Sequence, residues 1–200
     1  MSSNTKTSGK LSLSNHLLIA MPGLNDPNFH QSVSYICEHN EEGAMGLVIN
    51  RPLYISFADL CEQLEIEIND LDVADYPIFE GGPVEMERGF ILHSPIGDWD
   101  STLVVIESEN IGLTMSKDII QAIADGYDSD NNPPEQFIMC LGYAGWGPGQ
   151  LEEELSINAW LSCQANMEII FNTPVENRWQ QAAQLLGVDL QLLSHDAGHA

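Results

Sequence analysis

The residues best suited by type and spacing to do chemistry lie in GYAGWGPGQLEEEL, residues 142–155, where Gly142, Gly145, Gly147 and Gly149 crowd around Trp146 and Pro148. A glycine-rich loop that opens a helix holds phosphate when backbone N–H groups, the helix dipole and a lysine converge on it. Here Gln150 and Leu151 are followed by Glu152, Glu153 and Glu154, and no Lys or Arg occurs between Lys117 and Arg178. Those glutamates complement the positive end of a helix themselves, which removes the field an anion would need. From Gly145 the spacing is G-x-G-x-G, not the G-x-G-x-x-G of a dinucleotide turn. The stretch therefore reads first as architecture, with glycine letting a strand turn away and Pro148 setting a helix start. The alternative is a pocket for a neutral or polar ligand, built from backbone amides, Gln150 and the Trp146 ring.

Other candidates carry less. Cys140 near a strand end suggests a nucleophile elbow, but Ile138 stands where the first elbow glycine belongs, so a buried inert thiol is expected. DSDNN, residues 128–132, resembles the start of a calcium loop, yet Pro133 occupies the sixth position and Met139 the twelfth. His195 and His199 are spaced for one helix face but lack a third ligand, so no metal site is assigned. His30, His39 and His93 each have the chemistry of a base, and no serine is marked as activated. His93, with Asp98 and Asp100 nearby in sequence, reads first as a structural residue. Arg51 sits between Asn50 and Pro52 at a strand end; it is expected to pair with carboxylates, or else to face a small anion.

The elements that would position these residues follow from periodicity and turn chemistry. Residues 16–21, 32–39 and 46–50 read as strands separated by turn-rich segments. Ser56 and Asp59 form a capping box ahead of a helix with Phe57, Leu60, Cys61 and Leu64 at helical spacing. Residues 77–83 read as a strand entering a glycine turn, and 88–94, 102–108 and 111–116 as an antiparallel meander. A helix over 117–126 precedes the apolar strand 136–142, which should be central. A helix over 150–164, a strand over 166–171 and a last helix complete the chain. That helix should be capped by Thr173 with Glu176, start on Pro174, and turn Val175, Trp179, Ala182, Ala183 and Leu186 inward. The expected fold is a single α/β domain over residues 13–190, a mixed sheet with an antiparallel meander and flanking helices. Residues 1–12 are expected to be mobile and 191–200 to form a tail.

Composition limits the partners. The chain has 200 residues, with 30 Asp plus Glu against 6 Lys plus Arg, a formal net charge of -24. The six cations are scattered, so direct nucleic-acid binding and docking on anionic membrane are disfavoured. Cys37, Cys61, Cys140 and Cys163 form no C-x-x-C pair and read as free thiols in a reducing compartment. The first apolar run, residues 17–21, is broken by Pro22 and too short for a signal or membrane segment, so the cytoplasm is the expected location. No cofactor is indicated.

The runs FHQSVSYICEHNEEGAMGLVINRP, EGGPV, RGFILHS and GYAGWGPGQLEEELSINAW occur in this order along the chain, and they resemble the YqgE/AlgH family of bacterial proteins over residues 11–186. The resemblance implies a single α/β domain and no established enzymatic activity. It also carries the label of transcriptional regulator, from a branch whose name is linked to alginate production. The family's motif positions here are Asn50, Arg51, Pro52, Gly82, Pro83, Gly142, Gly145, Trp146, Gly149 and Gln150. Three functions stay open: a binding or regulatory protein acting through a protein partner or small ligand; an enzyme with its site between the Asn50-Arg51-Pro52 turn and the glycine run; and a direct DNA-binding regulator. Charge speaks against the last. A duplex DNA fragment should run unretarded with this protein in a low-salt gel; a salt-sensitive shift would contradict that expectation.

Overall fold

The computed structural model describes residues 12–127, 132–190 and 193, so the expected mobile start and tail lie almost wholly outside the described residues. Ten strands are present among them: β1 (His16–Ala20), β2 (Val33–Asn40), β3 (Gly43–Val48), β4 (Pro52–Ser56), β5 (Pro77–Glu80), β6 (Val84–Ser94), β7 (Thr102–Ile106), β8 (Ile111–Thr114), β9 (Gln136–Trp146) and β10 (Trp160–Gln164). Eight follow one path, β10-β1-β2-β3-β9-β6-β8-β7, curled into a half-barrel, while β4 and β5 branch off it. All pairings are antiparallel except β5 with β9. The mixed sheet is thus met by a single parallel ladder. The helices are short: α1 (Phe57–Leu64), α2 (Lys117–Asp125), α3 (Gln150–Ser156) and α4 (Arg178–Gln184). They do not alternate with strands as an α/β chain would, and this is the first correction to the expected fold.

Other corrections have local causes. The 88–116 region is not a simple meander: β8 pairs β6, and β7 lies outside β8 as an edge. The long helix expected over 150–164 stops at Ser156, because Asn158 takes a left-handed φ of 58° and the chain re-enters the sheet as β10 against β1. The expected strand at 166–171 is a helical turn over Glu168–Asn172. Pro174 has ψ 135° and lies before a 3-10 turn, Val175–Asn177, so α4 starts only at Arg178 and the Thr173–Glu176 box does not form. Ala182 and Ala183 do face inward and Trp179 packs on the core, but Leu186 is exposed. The capping box on α1 forms as expected: Ser56 Oγ accepts from Asp59 N–H while Asp59 accepts from Ser56 N–H at 2.7 Å. Those bonds hold the Asp59 carboxyl below its ordinary value.

The sheet buries both faces. Leu17, Tyr35, Phe79, Phe90, Ile138 and Cys140 belong to one core, beneath Ile169, Ile170 and α4. Phe57, Ile91, Ile119, Ile123 and Met139 form a second core under α1 and α2, and Leu18, Ile36, Ala144, Trp146 and Trp160 a third. Strand β9 serves all three. Its even residues Ile138 and Cys140 face the first core, and its odd residue Met139 the second. At Gly142, φ +72°, the strand kinks opposite the extra β6 residues 85–88 and the parity inverts, so Tyr143 packs on the first core while Ala144 and Trp146 turn to the third. Partners change at the same point: β5 pairs residues 139–141, and β3 pairs residues 144–146.

Gly82 seats this exchange. A Cβ there would lie 2.3 Å from the Tyr143 carbonyl, and its φ is +149°. Beside it, Gly81 N–H donates to Leu141 and its carbonyl accepts from Val48 at 2.8 Å, bridging β9 to β3. Gly82→Ala should cost roughly 2–5 kcal/mol of stability. Gly147→Ala, whose Cβ would meet nothing closer than 3.8 Å, should cost about 1 kcal/mol or less. Urea midpoints measure both, and equal midpoints would rule out the backbone contact as the reason for Gly82.

Candidate functional site

The opening glycine run is mostly strand. β9 continues through Gly142 and Gly145 to Trp146, so the expected loop is confined to Gly147, Pro148 and Gly149. There Gln150 N–H donates to the Gly147 carbonyl at 3.1 Å, and Gly149 has φ 76° and ψ -6°. This is a turn with proline second and left-handed glycine third, which explains both residues. Gln150 completes it, accepting from Gly147 N–H at 3.0 Å through its side-chain oxygen.

Beyond the turn, α3 brings a carboxylate under two indoles. Glu154 accepts from Trp146 Nε1–H at 3.0 Å and from Trp160 Nε1–H at 2.8 Å, both on one oxygen, while its other oxygen accepts from Gln150 Nε2–H at 2.8 Å. Trp146 and Trp160 are 5% and 2% exposed. Burial of both rings leaves no exposed indole face at this turn for a ligand to stack on. Phe29 lies against them, 6.0 Å from Trp146 in a stacked arrangement and 5.4 Å edge-on from Trp160.

Arg51 lies elsewhere and, among the described residues, pairs with no carboxylate. Its guanidinium donates to the carbonyls of Pro27 at 2.8 Å and His30 at 2.9 Å, so the expected ion pair is replaced by main-chain ties. Asn50 works the same way, accepting from Val33 N–H and donating to the Gln31 carbonyl. Pro52 opens β4 opposite Phe79, and Pro83 is exposed beside Gly82. Apart from Pro52, the motif positions thus divide between the 21–32 segment, the partner exchange on β9 and the turn before α3. Phe29 links the first and last, since its loop is held by Arg51 on one side and meets Trp146 on the other.

An open cleft of about 480 Å³ lies on another side of the β3–β9 junction, lined by Glu38, Asn40, Glu42, Met45, Val84 and Tyr143. Gly145 and Trp146 also border it. Near this end of β2, His39 is buried, its Nδ1 accepting from Leu13 N–H at 2.9 Å and its Nε2 facing Glu152 at 3.6 Å. The proton of a neutral ring therefore belongs on Nε2.

The remaining candidates are structural where they are described. Cys37, Cys61 and Cys140 are buried free thiols; burial pushes Cys61 up to about 11 and the other two further, away from the reactive thiolate. His93 is fully buried between the Thr114 hydroxyl at 2.8 Å and the Pro95 carbonyl at 3.0 Å, and desolvation lowers its pKa. The His195–His199 pair and most of DSDNN lie outside the described residues. Among the described residues, no three His, Cys, Asp or Glu side chains are grouped to hold a metal.

Sequence reasoning missed Arg178, which is 4% exposed. Its guanidinium donates to the carbonyls of Thr173 and Ile49 and lies 5.4 Å over the Phe79 ring. Burial lowers its pKa, and carbonyl dipoles with the ring face supply the compensating negative potential. Its only local signal is a cation at the start of an otherwise neutral helix.

Glu154→Leu should destabilise the protein by roughly 2–5 kcal/mol, because two buried indole N–H groups would each lose an acceptor worth about 1–3 kcal/mol. Glu154→Gln keeps one oxygen for the indoles and should cost less than half as much. Thermal unfolding compares them; an unperturbed Leu variant would show that the shared acceptor is dispensable.

Comparison with known proteins places this arrangement in a lineage. A family model described as AlgH-like matches residues 17–191. A UPF0301 protein of Thioalkalivibrio sulfidiphilus is 52% identical over 186 residues, covering 93% of this chain and 96% of the relative. One of Nitrosococcus oceani is 50% identical with the same coverage. The solution structure of the AlgH protein from Pseudomonas aeruginosa is 46% identical, covers 100% of both chains and superposes with a TM-score of 0.74. A Corynebacterium diphtheriae protein shares the fold at 18% identity and a TM-score of 0.67. The chain therefore belongs to the AlgH-like, or UPF0301, family.

Proposed function

We propose that the protein is a cytoplasmic binding protein with a regulatory role, acting through a small ligand or a protein partner received in the Glu38–Tyr143 cleft. The observation that carries this reading is the cleft's mixed lining. Glu38, Asn40 and Glu42 offer acceptors, and Met45, Val84 and Tyr143 offer apolar surface. Such a lining suits a cationic group on a short apolar stem, whether a free molecule or a basic side chain of a partner. The net charge of -24 would concentrate cations near it. None of the helices among the described residues is long and apolar enough to cross a membrane.

The enzyme reading has less support. The nucleophile nearest the glycine run, Cys140, is buried and held as a neutral thiol. Arg51 is engaged with main-chain carbonyls. A direct grip on DNA finds no basic stripe, so the regulator label that the family resemblance carries would run through a partner.

n-Butylguanidinium, a guanidinium on a four-carbon stem, is a suitable probe for ¹⁵N-labelled protein. Amides over residues 38–45 and 143–146 should shift saturably, and the Glu38→Lys/Glu42→Lys double variant should abolish the effect. Shifts spread evenly over the acidic surface would reduce the cleft to one part of a diffuse negative field and sink the proposal.

A further inference from the structure

The segment 21–31, between β1 and β2, is tied to itself more than to the body of the protein. Asp26 organises it, accepting from Asn28 N–H through its side chain and from Phe29 and His30 N–H through its carbonyl. Leu24 N–H donates to Met21, and both Ser32 N–H and its hydroxyl donate to Phe29. Attachment at the two ends is by Met21 N–H to Ala159 and by Asn50 to the Gln31 carbonyl. Between those ends, the hydrogen bonds to the body among the described residues are the two from Arg51, to Pro27 and His30. The remaining hold is packing, by Leu24 and above all by the Phe29 ring, in the notch between Trp146 and Trp160.

Both ends can act as hinges. Gly23 is exposed, and a Cβ added there would meet nothing within 4 Å. Gln31 takes a left-handed φ of 54° that a non-glycine residue adopts under constraint. The notch is built independently of the ring that fills it. Glu154 fixes both indoles through their N–H groups, and their planes meet at 77° with centroids 6.0 Å apart. Leu18, Ala20 and Ile36 share this core. Two residues before Ile36 on the same face of β2, the Ser34 hydroxyl is buried without a hydrogen-bond partner among the described residues.

We propose that Phe29 is a removable plug, and that the Trp146–Trp160 notch is a receptor for an aromatic side chain of a protein partner. Phe29 defines the occupant: an aromatic ring flanked by main-chain carbonyls two residues before it and one after it. Those carbonyls would take over the Arg51 bonds while the incoming ring replaces Phe29. The exchange conserves contact type, ring for ring and carbonyl for carbonyl, so the closed and partner-bound states need differ little in free energy. This proposal goes beyond the cleft reading and does not depend on what fills the cleft.

The test uses N-acetyl-phenylalaninamide and the indole Nε1–H signals of the full-length protein. In Phe29→Ala the signals of Trp146 and Trp160 should shift saturably, with an affinity at least about tenfold above wild type, because the plug no longer competes. Signals of Trp99 and Trp179 should stay in place. Arg51→Gln keeps Phe29 but loosens the loop; because the probe carries no carbonyl two positions before or one after its ring residue, it has no Arg51 bond to lose, and the variant should also tighten probe binding, by a smaller factor, and speed hydrogen exchange at Asn28, Phe29 and His30. A folded Phe29→Ala that leaves Trp146 and Trp160 unmoved, or that binds no tighter than wild type, overturns the proposal. If Phe29→Ala does not fold, Arg51→Gln decides, and unchanged probe affinity there overturns it equally. The n-butylguanidinium response of the cleft should persist in both variants, which separates the two sites.

Discussion

Three strands cannot crowd one strand unless their backbones come closer than side chains allow. That steric constraint, met at Gly82 and Gly142, is what the rest of the molecule depends on. β9 takes β5 and β6 as partners over its first half and β3 over its second, and the exchange occurs where Gly82 lies on the Tyr143 carbonyl. The left-handed kink at Gly142 inverts which face each later residue serves. Without it, Trp146 would point toward the core shared by Ile138 and Cys140. With it, Trp146 reaches Trp160, and α3 can return a carboxylate beneath both indoles.

The scarce cations are used inside this frame. Arg178 is buried on carbonyls and a ring face, and Arg51 ties two loop carbonyls. Arg88 pairs with Glu85 at 3.0 Å on the surface. In a chain with 30 carboxylates, arginines directed at main-chain oxygens leave the acidic surface largely uncompensated. A carbonyl is a neutral acceptor with a fixed direction, so each such arginine locates a chain segment without cancelling charge. The protein keeps a strongly negative field and still gains rigid points at the start of α4 and over the 21–32 loop.

Where local chemistry is self-contained, the sequence is legible. The Ser56–Asp59 box needs only four residues, and it forms. Cys140 in an apolar run is buried, as its neighbours imply. Legibility fails where a distant partner decides. The glycines of residues 142–149 carry the same composition whether they leave a strand or kink it, and the kink lies against Gly82, sixty residues earlier. The Thr173–Glu176 motif has the spacing of a cap, but Arg178 claims the Thr173 carbonyl and the helix starts later. No proline or glycine stops the expected helix across residues 157–164, but pairing with β1 overrides it. Abundant carboxylates suggest an ion pair for Arg51; abundance gives no geometry, and two carbonyls stand closer.

The same logic explains why motif positions far apart in sequence need not mark separate sites. Asn50 and Arg51 hold the 21–32 segment by its carbonyls, while Trp146, through Gln150 and Glu154, presents the wall against which that segment's Phe29 packs. One group controls where the loop lies and the other what its ring meets. A residue set assembled only to stabilise a loop would need one of these attachments, since aromatic packing alone buries the ring and arginine ties alone fix the backbone. Having both makes the loop's position dependent on two chemically distinct contacts. Each can be matched by a ligand offering the same groups, and losing either weakens the other by freeing the segment they share.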